Sequence, residues 1–243
     1  DRLRQAAHWY RRARDLGNPD PRVMAGAVAE HGEVLLQLRR LDDAREAFEE
    51  VSRRAEATDT ALGTSAVAHL GAVSRLTGDT ELAKERFEMA IAAARAADDP
   101  QLLADVHRLQ GWSEITAGRP RTALPQLRRA AEIEATLDVA PRRGETLQYL
   151  GWCEFLSGRL ADARQHLWDA MAQSVDVEDT GAIGWCFGLL GFTLLHGGQA
   201  ARSLEISSNL RQVARRNSDP AAEWTCATLE AASHLALGDV DEA

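Results

Sequence analysis

The sequence predicts an all-α fold, a solenoid of stacked helix-turn-helix units with about twelve helices in all. Two spacings carry that prediction. Glycines recur 40 residues apart at Gly71, Gly111, Gly151 and Gly191, and again at Gly78, Gly118, Gly158, Gly198 and Gly238. A period of roughly 20–50 residues marks one supersecondary unit used many times, not a single folded core. Apolar residues recur at helical spacing inside each period, as in Val67, Leu70 and Val73, then Leu82, Phe87 and Ile91.

The period divides the chain into a partial repeat over 1–19 and five repeats over 20–58, 59–98, 99–138, 139–178 and 179–218. A second partial repeat covers 219–243. Arg4 to Arg14 reads as the second helix of an earlier unit, and residues 239–243 begin a second helix that does not finish. A single solenoid cut from a larger protein is the expectation.

Each unit opens on a helix start. Asp20, Asp59, Asp99, Asp179 and Asp219 stand just before the first helices, where a carboxylate caps free backbone N–H groups. Pro21, Pro100 and Pro220 follow directly, at the first helical position, where proline is tolerated. Around 139 the aspartate is replaced by Val139, Ala140 and Pro141, which predicts a frayed or shifted start. The first helix ends at Gly78 and its equivalents, where a left-handed residue is needed. Arg39 takes that place in the first full unit.

The second helix carries small residues at Ala44, Ala83, Ala123, Ala163, Ser203 and Ala243, which allow close helix approach. A large apolar residue follows at Phe48, Phe87, Leu127 and Leu167, with Ser207 in the fifth unit. Pro125 falls inside a predicted second helix, where it predicts a kink or late start.

Leu70-Gly71, Gly78, Ala83, Phe87 and Ala90 together resemble the tetratricopeptide repeat pattern, as do Leu150-Gly151, Gly158, Ala163, Leu167 and Ala170. The resemblance covers nearly the whole chain and implies a right-handed α-solenoid. The period departs from it: 40 residues here, against about 34 in the family. The family's tryptophan, four residues before each helix glycine, is here Val67, His107, Leu147 or Phe187. Longer units of this kind resemble those in bacterial multidomain regulators.

The resemblance also implies a concave groove lined by the first helices. The residue after each helix glycine is Glu33, Ala72, Trp112, Trp152, Phe192 and Ala232, so aromatic residues occupy the middle units only. A ladder of this kind spans on the order of 20 Å, since packed helices lie roughly 8–10 Å apart. Arg108 and Gln148 stand one turn earlier, with Leu109 and Tyr149 beside them. Ile115, Phe155 and Leu195 continue the face; Asp105, Glu145 and Trp185 sit near the helix starts. The candidate binding residues are Trp112, Trp152, Phe192, Arg108, Gln148, Tyr149, Phe155, Glu145 and Trp185. The alternative places the aromatics in the core. Trp9, Trp168 and Trp224 fall outside the ladder and are expected in core or outer packing.

Composition narrows the function classes. The net charge is −9 and basic residues are interleaved with acids, as in Arg53-Arg54 after Glu49-Glu50, which disfavours direct nucleic-acid binding. No run of about 18 apolar residues is present, so no membrane span is expected. Cys153, Cys186 and Cys226 lack a framework spacing, which suggests reduced thiols and a cytoplasmic setting. The sequence holds no phosphate loop, zinc-ligand spacing or nucleophile elbow. The expectation is a non-catalytic module with no cofactor, binding a protein or peptide segment. An elongated small-molecule effector and self-association are the alternatives.

Overall fold

The computed structural model describes residues 2–17, 20–55, 59–176, 180–216, 219–239 and 242. Among these are twelve α-helices and no strand. They group into two compact units, Asp1–Asp138 and Val139–Ala243. The first unit contains α1 (Arg2–Leu16), α2 (Pro21–Gln37), α3 (Leu41–Ala55), α4 (Thr60–Thr77), α5 (Thr80–Ala96), α6 (Pro100–Thr116) and α7 (Pro120–Glu134). The second contains α8 (Arg143–Leu156), α9 (Leu160–Asp176), α10 (Thr180–His196), α11 (Ala200–Arg216) and α12 (Pro220–Leu237).

Helix starts follow the aspartate signal. Asp20 accepts from the Arg22 amide at 2.9 Å, Asp59 from Leu62 at 3.0 Å, and Asp99 from Leu102 at 2.9 Å. Asp219 accepts from Ala222 at 3.1 Å. Asp79 caps a second helix in the same way, from Leu82 at 3.1 Å. Asp179 and Ala243 lie outside the described residues. Where the signal is missing, α8 begins at Arg143, has 14 residues, and has no side-chain cap. The shifted start expected there is present.

The turns use left-handed glycines, with φ from 74° at Gly158 and Gly198 to 91° at Gly78. Arg39 adopts φ 60° in the same place, a conformation that costs a residue with a Cβ roughly 1 kcal/mol. The late start expected from Pro125 does not occur. Helix α7 begins at Pro120, in register with α5 and α9, and continues through Pro125. Burial of Ala123, Leu127 and Ala130 on that helix offsets the one backbone hydrogen bond that proline removes.

Packing explains the two periodic columns. The helix glycines make room for the large residue of the second helix. A Cβ at Gly71 would lie 3.2 Å from Phe87, and one at Gly151 would lie 2.7 Å from Leu167. The fifth repeat breaks the pattern because Ser207 is small. There a Cβ at Gly191 would meet Leu229 of α12 at 2.8 Å. The core of the first unit gathers Leu35, Phe48, Leu70, Val73, Phe87, Val106 and Leu109. In the second, Leu150, Cys153, Leu167, Cys186, Leu190, Cys226 and Leu229 are fully buried. All three cysteines are free thiols, and burial pushes the Cys226 thiol up.

A buried ion pair joins two helices of the first unit. In the first unit Arg75 Nε of α4 lies 2.7 Å from Glu114 Oε1 of α6, and both side chains are buried. Thr122 donates to the other Glu114 oxygen at 2.9 Å, and Arg75 donates to Thr80 at 3.1 Å. Among the described residues no helix is long and apolar enough to cross a membrane.

Candidate functional site

The second unit is organised around α10. Its sequence, TGAIGWCFGLLGFTLLH, holds no aspartate, glutamate, lysine or arginine, and it packs against α8, α9, α11 and α12. A helix apolar on all sides is stable only with neighbours on all sides. Those neighbours leave a hollow. A cavity of about 440 Å³ is bounded by Trp152 of α8, Leu210 of α11, and Ala222 and Thr225 of α12, with Asp219 at the α12 cap. From α10 it takes Gly184, Trp185, Gly188, Leu189 and Phe192.

The floor of the hollow is open at Gly184, while Gly188 lets α12 approach α10 closely. Gly184 and Gly188 lie one turn apart on the cavity face of α10. A Cβ at Gly184 would meet nothing within 4 Å. A Cβ at Gly188 would sit 3.3 Å from the Thr225 methyl. Aromatic rings form the walls. Trp152 and Trp185 meet edge to face, with centroids 5.8 Å apart and planes at 77°. Trp185 keeps 39 % of its surface exposed, while Trp152 and Phe192 are half-buried.

Three of the residues expected from sequence therefore share one cavity: Trp152, Trp185 and Phe192. Four others lie on α8 outside its lining. The Tyr149 hydroxyl donates to Glu145 at 3.0 Å, and Arg142 lies 3.6 Å from the same carboxylate. Gln148 is half-buried. Phe155 packs edge to face against His196, with centroids 5.4 Å apart. The remaining two belong to the first unit. Arg108 is 7 % exposed and pairs with Asp105 at 3.3 Å. Trp112 is half-buried against the core cluster that includes Leu109.

Trp9, Trp168 and Trp224 are not core: they are 56 %, 49 % and 72 % exposed. Trp168 meets Phe187 edge to face, with ring centroids 6.3 Å apart.

Sequence reading missed Gly184, Gly188, Thr225 and Asp219. Gly188 occupies the column of Arg108 and Gln148, and Thr225 the column of Trp185, each one repeat further on. Asp219 was legible only as a helix cap. Among the described residues no group of three or more histidine, cysteine, aspartate or glutamate side chains is arranged to hold a metal ion.

No family model matches the sequence, and no curated protein sequence matches it. Solved structures match its fold. BtubC (BKLC) from P. vanneervenii superposes with a TM-score of 0.65 at 15 % identity, over 89 % of this chain and 91 % of that one. A Rap protein complexed with Competence and Sporulation Factor gives 0.67 at 13 % identity, over 88 % of this chain and 59 % of that one. A Signal Transduction ATPase with Numerous Domains from Pyrococcus horikoshii, carrying a tetratricopeptide repeat sensor, gives 0.73 at 13 % identity. That match covers 98 % of this chain but 36 % of the ATPase, so the chain corresponds to about a third of that protein. The chain has the fold of an all-α, tetratricopeptide-like repeat solenoid.

Proposed function

We propose that this chain is a non-catalytic binding module of a larger regulatory protein, taking a segment of a peptide or protein partner into the cavity around α10. The observation that supports this reading most is the glycine floor at Gly184 and Gly188 beneath Trp152, Trp185 and Phe192. Helix interiors disfavour glycine by about 1 kcal/mol relative to alanine, so Gly184, where an added Cβ would meet nothing, keeps space at a cost in stability. Rigid aromatic walls around such space are frequent anchors for a partner's side chain. The fold neighbours point the same way. One Rap protein is complexed with Competence and Sporulation Factor, a Rap conjugation gene regulator with the Phr* peptide, and the ATPase carries its repeats as a sensor.

An elongated small-molecule effector is the second reading, since about 440 Å³ falls within the roughly 300–1,000 Å³ of small-ligand sites. The test begins with Gly184→Phe, which fills the hollow from a position where an added Cβ meets nothing. Peptides selected on the wild-type protein from a random display library are titrated against both forms. Loss of at least about tenfold in affinity at unchanged Tm is expected. Equal binding by the two forms would remove the cavity from the binding surface. A selection that yields no peptide, with metabolite fractions raising Tm in the wild type alone, would favour the small-molecule reading.

A further inference from the structure

We propose that the cavity around α10 takes a basic side chain, an arginine or lysine of the bound peptide; this rests on the binding role proposed above. The lining carries one ionisable residue, Asp219, against aromatic, aliphatic and glycine neighbours and the Thr225 hydroxyl. Asp219 is exposed, so its carboxylate stands at the mouth of the cavity. One of its oxygens accepts from the Ala222 amide at 3.1 Å, as in the other capped helices of the chain. What sets this cap apart is its position: it lines the same cavity as Trp152, Trp185 and Phe192.

Three consequences of charge and shape select the occupant. An anionic group would meet the Asp219 carboxylate and the negative faces of the rings. A purely apolar group would set hydrocarbon against an ionised carboxylate, which costs free energy. A cation gains from both walls, because ring faces attract cations within about 6 Å and a carboxylate pairs with ammonium or guanidinium. The floor suits the rest of such a side chain. Arginine and lysine carry an apolar stem that lies along apolar surface while the head stays polar. Gly184, where an added Cβ would meet nothing within 4 Å, leaves room for that stem. The net charge of −9 adds a long-range field that draws basic peptides toward the protein.

The test uses capped peptides, otherwise of alanine and glycine, with arginine, lysine, citrulline or glutamate fixed at the centre. Each is titrated against the wild-type protein, Asp219→Asn and Gly184→Phe. Citrulline matches arginine in shape and removes the charge. Asparagine caps a helix as well as aspartate does, so Asp219→Asn removes the charge and keeps the cap. The wild type is expected to hold arginine and lysine peptides about tenfold more tightly than citrulline ones. Asp219→Asn should lose most of that preference at unchanged Tm, and Gly184→Phe should lose binding of every peptide. Citrulline peptides bound as tightly as arginine peptides, or no binding by any of the four, would overturn the basic side chain. Arginine preference that persists undiminished in Asp219→Asn would also overturn it. Binding by Gly184→Phe equal to wild type would instead overturn the cavity reading beneath it.

Discussion

His166 Nδ1 lies 2.6 Å from Glu154 Oε2, joining α9 to α8 within one repeat. The glutamate is fully buried and the histidine is half-buried. The hydrogen bond to Glu154 holds the imidazole above its ordinary value of 6.5; burial opposes it, and the negative charge of Glu154 adds to it. A histidine whose pKa is raised by folding stabilises the fold fully below its unfolded pKa, and that contribution disappears as pH rises through the folded pKa. The first prediction is that His166→Gln lowers Tm most below about pH 6 and progressively less above it. His107, in the first unit, runs the other way. Burial is the largest cause and lowers its pKa, against the hydrogen bond with Gln126. Its protonation disfavours folding as pH falls below 6.5 toward the folded value. Tm measured from about pH 5 to about pH 8.5 on the wild type, His166→Gln and His107→Gln separates the two. A His166→Gln effect that is flat across the range would refute the assignment.

The second prediction concerns glycine. A Cβ at Gly111 would stand 2.5 Å from Leu127 Cγ and 2.6 Å from its Cδ2. Leu127 is fully buried, so it has little room to move. Gly111→Ala is expected to cost about 1–3 kcal/mol, as overpacking does. Gly184→Ala, on a helix face open to the cavity, is expected to gain up to about 1 kcal/mol from helix propensity. Urea midpoints at constant slope read both. Leu127→Ala in the Gly111→Ala background should cost less than Leu127→Ala alone, because the added methyl fills part of the space.

The third prediction concerns Arg75 and Glu114, buried and 2.7 Å apart. Glu114→Gln retains size but leaves the Arg75 charge without its counter-ion in a dry site. Removing one partner of a buried pair costs about 3–5 kcal/mol. Replacing Arg75 and Glu114 together by Met and Leu should cost far less, because no unpaired charge remains. A Glu114→Gln loss under about 1 kcal/mol would show that water reaches the pair.

Much of this fold was written in the spacing. Glycine at the turns, aspartate at the starts and proline behind it each answer a local backbone requirement, and local requirements can be read one residue at a time. The late start read from Pro125 does not occur, because tertiary burial of Ala123, Leu127 and Ala130 overrides a local signal. The cavity was half legible. Trp152 and Phe192 stood out as large side chains in register, and Trp185 as one near a helix start. Gly184 and Gly188 did not, since a hollow is made by what neighbouring helices fail to fill. Asp219 was hidden by its own regularity, because a cap that recurs in most units reads as scaffold.

The last prediction separates scaffold tryptophans from site tryptophans. Trp112 and Trp185 look alike in sequence, each beside a first-helix glycine in the middle repeats. Their surroundings differ. Trp112 packs on the first-unit core beside Leu109 and Val106, so truncation opens a void in packed surroundings. Trp185 is 39 % exposed and borders space already empty. Trp112→Ala is expected to cost about 2–4 kcal/mol, toward the range for buried aromatic truncations. Trp185→Ala should cost about 1 kcal/mol or less, mainly its edge-to-face contact with Trp152. Binding should reverse the order, with Trp185→Ala losing affinity for selected peptides and Trp112→Ala keeping it wherever the protein is folded. Thermal melts paired with peptide titration on both variants read the two effects. Equal stability losses would mean that Trp185 is part of the core packing and that the cavity wall is not built to move or to bind. Retained affinity in Trp185→Ala would remove that ring from the recognition surface.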